Sequence, residues 1–127
     1  MIFKPEMAEK VLSGEKTETR RPVNVGQPCR YRVGRSYAVQ PGRGKHAIGR
    51  IGVVEVREES LREVDDAAAV REGFADSAEF IRYWFELYGS ALSWAPVWVV
   101  RFRLLHPDDY PLWEGSVRPS SESEGVK

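Results

Sequence analysis

Apolar residues four apart open the chain. In PEMAEKVLSG, residues 5–14, Met7 pairs with Val11 and Ala8 with Leu12, behind a proline that a first helical turn tolerates and ahead of a glycine that closes one. A short amphipathic helix is predicted there. The period then drops to two. TETRRPV, residues 17–23, sets Thr17, Thr19 and Arg21 on one side of an extended segment that ends at Pro22. Further strands are predicted at RSYAVQ, at the β-branched run AIGRIGVVEVREE, and at PVWVVRFRLL, where Val97, Val99, Arg101 and Arg103 alternate with Trp98, Val100, Phe102 and Leu104. Between the last two lies a helical region: EVDDAAAVRE is alanine-rich, and DSAEFIRYWFELYG opens with Asp76 and Glu79 at capping-box spacing and closes at Gly89. Its stripe of Phe80, Ile81, Trp84, Phe85, Leu87 and Tyr88 reads as core rather than as a ligand platform.

Strands on both sides of a helical insertion, without regular alternation, predict an α+β fold with a small mixed sheet or β-barrel flanked by helices. At 127 residues the chain is most simply one domain, over 1–113. The Ser/Glu-rich segment 114–127 is expected to be a disordered tail.

Charge changes the picture. Lysine plus arginine and aspartate plus glutamate number 19 each, yet residues 1–50 hold 11 basic against 4 acidic side chains, and residues 51–127 hold 8 against 15. A neutral total therefore hides a basic half. One cysteine, Cys29, excludes an internal disulfide, and with two histidines it makes a poor metal inventory, so neither metal nor cofactor is expected. No apolar run approaches the ~20 residues that cross a bilayer, and the opening MIFKPEMAEK does not read as a signal peptide. A cytoplasmic location away from membranes is the expectation.

Two motifs fail on inspection. QPGRGKH lacks the first glycine and the Ser/Thr of a phosphate-binding P-loop, and Ala47 stands where a dinucleotide fingerprint needs its third glycine. What remains is a glycine-rich turn carrying Arg43, Lys45 and His46, either solvated or a contact for a nucleic-acid backbone. Cys29 has no nearby partner and reads as a plain small residue.

GEKTETRRP, residues 14–22, is different. Gly14-x-Lys16-x-x-Thr19-x-Arg21 resembles the G-x-K-x-x-T-x-R signature of the ASCH domains, a branch of the PUA-like barrels, at all four positions. The resemblance runs in order through VGRSYAVQPGRGKHAIGRI, through REGFADSAEFIRYWFELYG and into VWVVRFRLL. It implies a five- or six-stranded barrel, a cleft lined by the signature residues, and an association with RNA or RNA-derived small molecules. One branch with a similar signature hydrolyses the acetyl amide of N4-acetylcytidine without a metal, and by position its lysine, threonine and glutamate fall on Lys16, Thr19 and Glu72. That branch is shorter and lacks a counterpart of QPGRGKH.

The chemistry of the triplet is coherent. A threonine hydroxyl needs a neighbouring base. Lys16 could serve if burial and Arg21 lower its pKa, Glu72 could protonate the departing amine, and Arg21 could hold a phosphate or an oxyanion. Alternatively, Lys16, Arg21 and Glu72 form an ion network that closes the barrel against a helix. Two functions stand. In one, the protein binds RNA or a modified nucleoside, with Lys16, Arg21, Arg43 and Lys45 on phosphate and Tyr37 or Trp98 stacking a base, which the basic half favours. In the other, it is an amidohydrolase for an acylated cytidine, which the intact Lys/Thr/Glu set favours.

Overall fold

Four strands, three α-helices and two short 3-10 turns make up the fold in a computed structural model that describes residues 1–89 and 95–110. The expected tail lies outside these residues. The helices are α1 (Pro5–Ser13), α2 (Asp66–Glu72) and α3 (Ser77–Tyr88); the strands are β1 (Glu18–Pro22), β2 (Ser36–Val39), β3 (Gly49–Ser60) and β4 (Pro96–Leu105).

Each helix ends where its sequence says it should. Pro5 starts α1, and Gly14 at φ 84° closes it by donating its N–H to the Val11 carbonyl. Asp65 caps α2 by accepting from the Ala68 N–H at 2.8 Å. Asp76 caps α3 in the same way through the Glu79 N–H at 2.9 Å, while the Glu79 carboxylate accepts from Ala75. Gly73 closes α2 at φ 100°, a conformation that favours glycine, and a Cβ there would stand 3.1 Å from the Lys10 side chain. Because Gly73 stops the helix directly after Glu72, it fixes where that carboxylate emerges.

The sheet has the order β1-β4-β3-β2, with each neighbouring pair antiparallel. A bulge between Val53 and Glu55 bends the long central pair. Side chains alternate across the sheet: Val100 and Phe102 of β4 join Met7 and Val11 of α1 in one core, while Val97 and Val99 join Phe80 and Trp84 of α3 in another.

Among the described residues the expected mixed barrel is not formed: the sheet is antiparallel and does not close. Its edge strands are only five and four residues long. Past the end of β2, Gln40 makes an isolated parallel bridge to Ile2, and the Arg21 guanidinium reaches the Ile2 carbonyl at 3.0 Å. A side chain thus spans the seam where a barrel would have a backbone ladder. The seam is a cleft.

Candidate functional site

The signature segment is pinned by its backbone before its side chains act. Lys16 N–H donates to the Lys10 carbonyl at 3.0 Å, Thr17 N–H to the Arg71 carbonyl at 2.8 Å, and the Thr17 carbonyl accepts from Phe102 N–H at 3.1 Å. Lys16 is thereby held between the end of α1 and the end of α2, with its side chain 3 % exposed. Its Nζ donates to Glu72 Oε1 at 2.7 Å and to the Glu72 backbone carbonyl at 2.9 Å. Burial lowers the Lys16 pKa from its ordinary value; the Glu72 carboxylate opposes this, and Arg21 and Arg20 reinforce it.

Thr19 and Arg21 share the other half of the cleft. Thr19 is buried, and its Oγ1 accepts from Arg21 Nε at 3.3 Å. The Arg21 guanidinium also lies 5.1 Å from the centre of the Phe3 ring. Lys16, Thr19, Arg21 and Glu72 all line one cavity of about 280 Å³. Its walls are largely apolar. Pro41 and Gly42 of the glycine-rich turn form one side, and Phe80, Tyr83, Trp84 and Tyr88 of α3 form another.

The α3 stripe is therefore only partly core. Phe80 and Trp84 are buried, Phe85 and Leu87 are exposed, and the half-buried Tyr83 and Tyr88 face the cavity. Tyr88 stacks on Trp84 with ring centres 4.4 Å apart. Burial pushes the Tyr83 phenol up to about 12, so it remains a neutral hydroxyl near neutral pH. A helical stripe broader than the sheet it packs on leaves its flank for the cleft, and helical periodicity carries no mark of that excess.

Arg20 is the principal residue that sequence reasoning missed. Its Nη1 donates to Glu18 Oε2 at 2.6 Å and to Glu72 Oε2 at 3.0 Å, and its Nε to Glu59 Oε2 at 2.8 Å. The half-exposed Arg71 and Arg101 add contacts to Glu18 Oε1. A buried network thus stands behind the site, and Glu72 joins the two through its separate oxygens. The two-residue period that placed Thr19 and Arg21 together turns Arg20 towards Glu18, Glu59 and Glu72, although Arg20 still borders the cavity.

The other sequence candidates do not converge on this cavity. Tyr37 and Arg43 line a neighbouring space, Trp98 lines a third, and Lys45 lines neither, its backbone carbonyl accepting from Gln40 Nε2 at 3.2 Å. Among the described residues no cluster of His, Cys, Asp and Glu is arranged to hold a metal, and no helix is long and apolar enough to cross a membrane.

No family model and no curated protein matches the chain by sequence. Solved structures do match by shape. The ASCH domain of Lactobacillus crispatus JV V101 superposes with a TM-score of 0.60 at 19 % identity, over 78 % of this chain and 70 % of that one. The ASCH protein of Zymomonas mobilis matches with a TM-score of 0.56 at 16 % identity, over 96 % of this chain and 79 % of that one. The fold is ASCH-like. A DUF984-family protein of Enterococcus faecalis V583 has the same shape, with a TM-score of 0.61 at 18 % identity over 79 % of this chain and 70 % of its own. On this ASCH-like frame the signature residues sit at the open seam of the sheet, with the α3 aromatics opposite them.

Proposed function

We propose that this ASCH-like domain binds RNA or a modified nucleoside, with a base seated in the cavity of Lys16, Thr19, Arg21 and Glu72. The observation that carries this reading is a buried lysine–glutamate pair at the floor of a cavity walled by aromatic rings. An ammonium has three donors, and Lys16 gives two of them to Glu72, which leaves one for a ligand. The Thr19 oxygen accepts from Arg21, so its own hydrogen is a second available donor. A floor of donors beside an aromatic wall suits a flat ring bearing a carbonyl oxygen, as a pyrimidine does.

Amide hydrolysis is the second reading, and the lowered proton affinity of Lys16 favours it. Neutral Lys16 would take the Thr19 proton as the hydroxyl oxygen adds to the acyl carbon. The resulting ammonium would protonate the departing amine, and water would then release the acid from the threonine ester. Both Glu72 oxygens accept hydrogen bonds, one from Lys16 and one from Arg20. Glu72 therefore suits an orienting role better than that of proton donor.

Titrating the protein with cytidine, N4-acetylcytidine and a short RNA, followed by intrinsic fluorescence and by chromatography of the products, separates the two. Quenching without acetate release supports binding. Acetate release that disappears in Thr19→Val supports hydrolysis. Neither signal with any of the three compounds would overturn both.

A further inference from the structure

The space next to the base cavity encloses about 550 Å³ and is lined by Arg21, Arg30, Arg43, Tyr31, Tyr37 and Gln40 among others. Arg21 lines both spaces, so they adjoin across its side chain. No carboxylate among the described residues lines the second one. Among the described residues, Arg21, Arg30 and Arg43 form no ion pair, whereas Arg20, Arg57, Arg71 and Arg101 each pair with a glutamate. The sequence explains the imbalance. Between Glu18 and Glu55 there is no acidic residue, but there are seven arginines.

We propose that this second cavity is a phosphate subsite, so that the ligand is a phosphorylated nucleoside with its base in the first cavity and its phosphate among Arg21, Arg30 and Arg43. The proposal rests on the base-binding reading above and adds the ligand's charge. Three guanidiniums around one hollow repel each other, and a dianion placed among them relieves that repulsion. The guanidinium fork also matches phosphate oxygens in pairs, which a lone ammonium cannot do. Arg30, which no sequence motif marks, lies 5.8 Å from the centre of the Tyr31 ring, and Tyr31 meets Tyr37 edge-on at 5.1 Å. The aromatic pair gives Arg30 a platform. The Tyr37 oxygen accepts from Arg32 N–H at 2.9 Å, and burial raises its pKa, so its hydrogen stays available as a neutral donor to the same anion.

Calorimetric titration of the full chain with cytidine, its 5′- and 3′-monophosphates, ribose 5-phosphate and pentacytidylate tests this. At least one monophosphate should bind roughly tenfold or more tightly than cytidine, the range for added charge-assisted hydrogen bonds. Exposed Arg30→Gln, with folding checked by thermal melt, should bring that affinity down to the level of cytidine. If the natural source of the phosphate is a strand, pentacytidylate should exceed both monophosphates and lose as much in Arg30→Gln; if it is a free nucleotide, pentacytidylate should gain nothing. Ribose 5-phosphate that binds and is lost in Arg30→Gln, alongside cytidine that does not bind, would leave the subsite standing and overturn the base pocket. Equal affinities for cytidine and both monophosphates, or a gain that survives both Arg30→Gln and Arg43→Gln, would overturn the subsite and leave the base pocket intact. Silence from all five compounds would overturn both.

Discussion

Arg20 and Arg21 are neighbours in the chain and opposites in the fold. Arg20 turns inward, 3 % exposed, and meets Glu18, Glu59 and Glu72. Arg21 turns to the seam, where it meets a threonine hydroxyl, a backbone carbonyl and a phenyl ring, and touches three cavities. The alternation of one short strand thus separates Arg20, whose charge glutamates neutralise within the fold, from Arg21, which has no ion pair among the described residues and borders open space. Glu72 is where the two meet, since one of its oxygens belongs to Lys16 in the cavity and the other to Arg20 in the network.

The largest expected effect tests whether that division is energetic. Arg20→Met removes the cation shared by three buried or nearly buried carboxylates, and stranding such charges costs about 3–5 kcal/mol. Arg21→Gln removes no ion pair and should cost no more than about 1 kcal/mol. Urea denaturation of the two variants measures both. Equal losses would mean that the two arginines are one structural unit.

Lys16→Met comes next, because Lys16 stands on the boundary. The thioether stem keeps most of the packing, and Glu72 retains its bond to Arg20. The stability loss should therefore be smaller than for Arg20→Met. If the amide is a substrate, turnover should fall by about 10²-fold, the usual effect of losing a general base. A destabilisation matching that of Arg20→Met, with ligand binding untouched, would assign Lys16 to architecture.

A smaller effect is read against pH. Burial lowers the folded-state pKa of Lys16 below its ordinary 10.5, so the unfolded chain holds that proton more tightly. The stability contributed by this group is complete above pH 10.5 and is lost as pH falls through the folded pKa. Tyr83 works in the opposite sense: its pKa rises from 10.0 to about 12, and its contribution is present below pH 10 and lost as pH climbs through about 12. Subtracting the Lys16→Met curve from that of the wild type cancels Tyr83. The difference should grow as pH rises towards 10.5, and a flat difference would mean that Lys16 titrates alike in the folded and unfolded chains.

Much of this was legible in the residues, and the gaps have physical causes. The helices and strands follow from Pro5, Gly14, Asp76, Gly89 and the alternation through β4, all local signals. The signature string marks Lys16, Thr19 and Arg21, the resemblance to the amidohydrolase branch adds Glu72, and these four share one cavity. Sheet closure was not legible, because it depends on whether residues 1–3 reach β1 by backbone or only through the Arg21 side chain. The placement of Tyr83 and Tyr88 depends on where α3 overhangs the sheet. Arg20 was hidden by its context: in a run of Lys, Glu and Arg, nothing local distinguishes a buried charge from a solvated one. Its partners Glu59 and Glu72 lie 39 and 52 residues away.

The smallest effect divides the glycine-rich turn itself. On sequence alone Arg43 and Lys45 are equivalent basic residues of one loop, and together they should contribute about 1.4 units to the slope of log K against log salt on single-stranded RNA. In the fold only Arg43 lines the space shared with Arg21 and Arg30; the Lys45 carbonyl is tied to Gln40, and its side chain lies outside that cavity. Each phosphate contact releases condensed counterion worth about 0.7 units of slope. Arg43→Gln should therefore flatten the slope by about 0.7, and Lys45→Gln by clearly less. Titration at four or five salt concentrations resolves the difference. If both substitutions flatten it equally, the backbone runs over the outside of the turn and the phosphate is not drawn into the cavity. If only Arg43 matters, the unpaired arginines act as one site, in contrast to the paired network behind it.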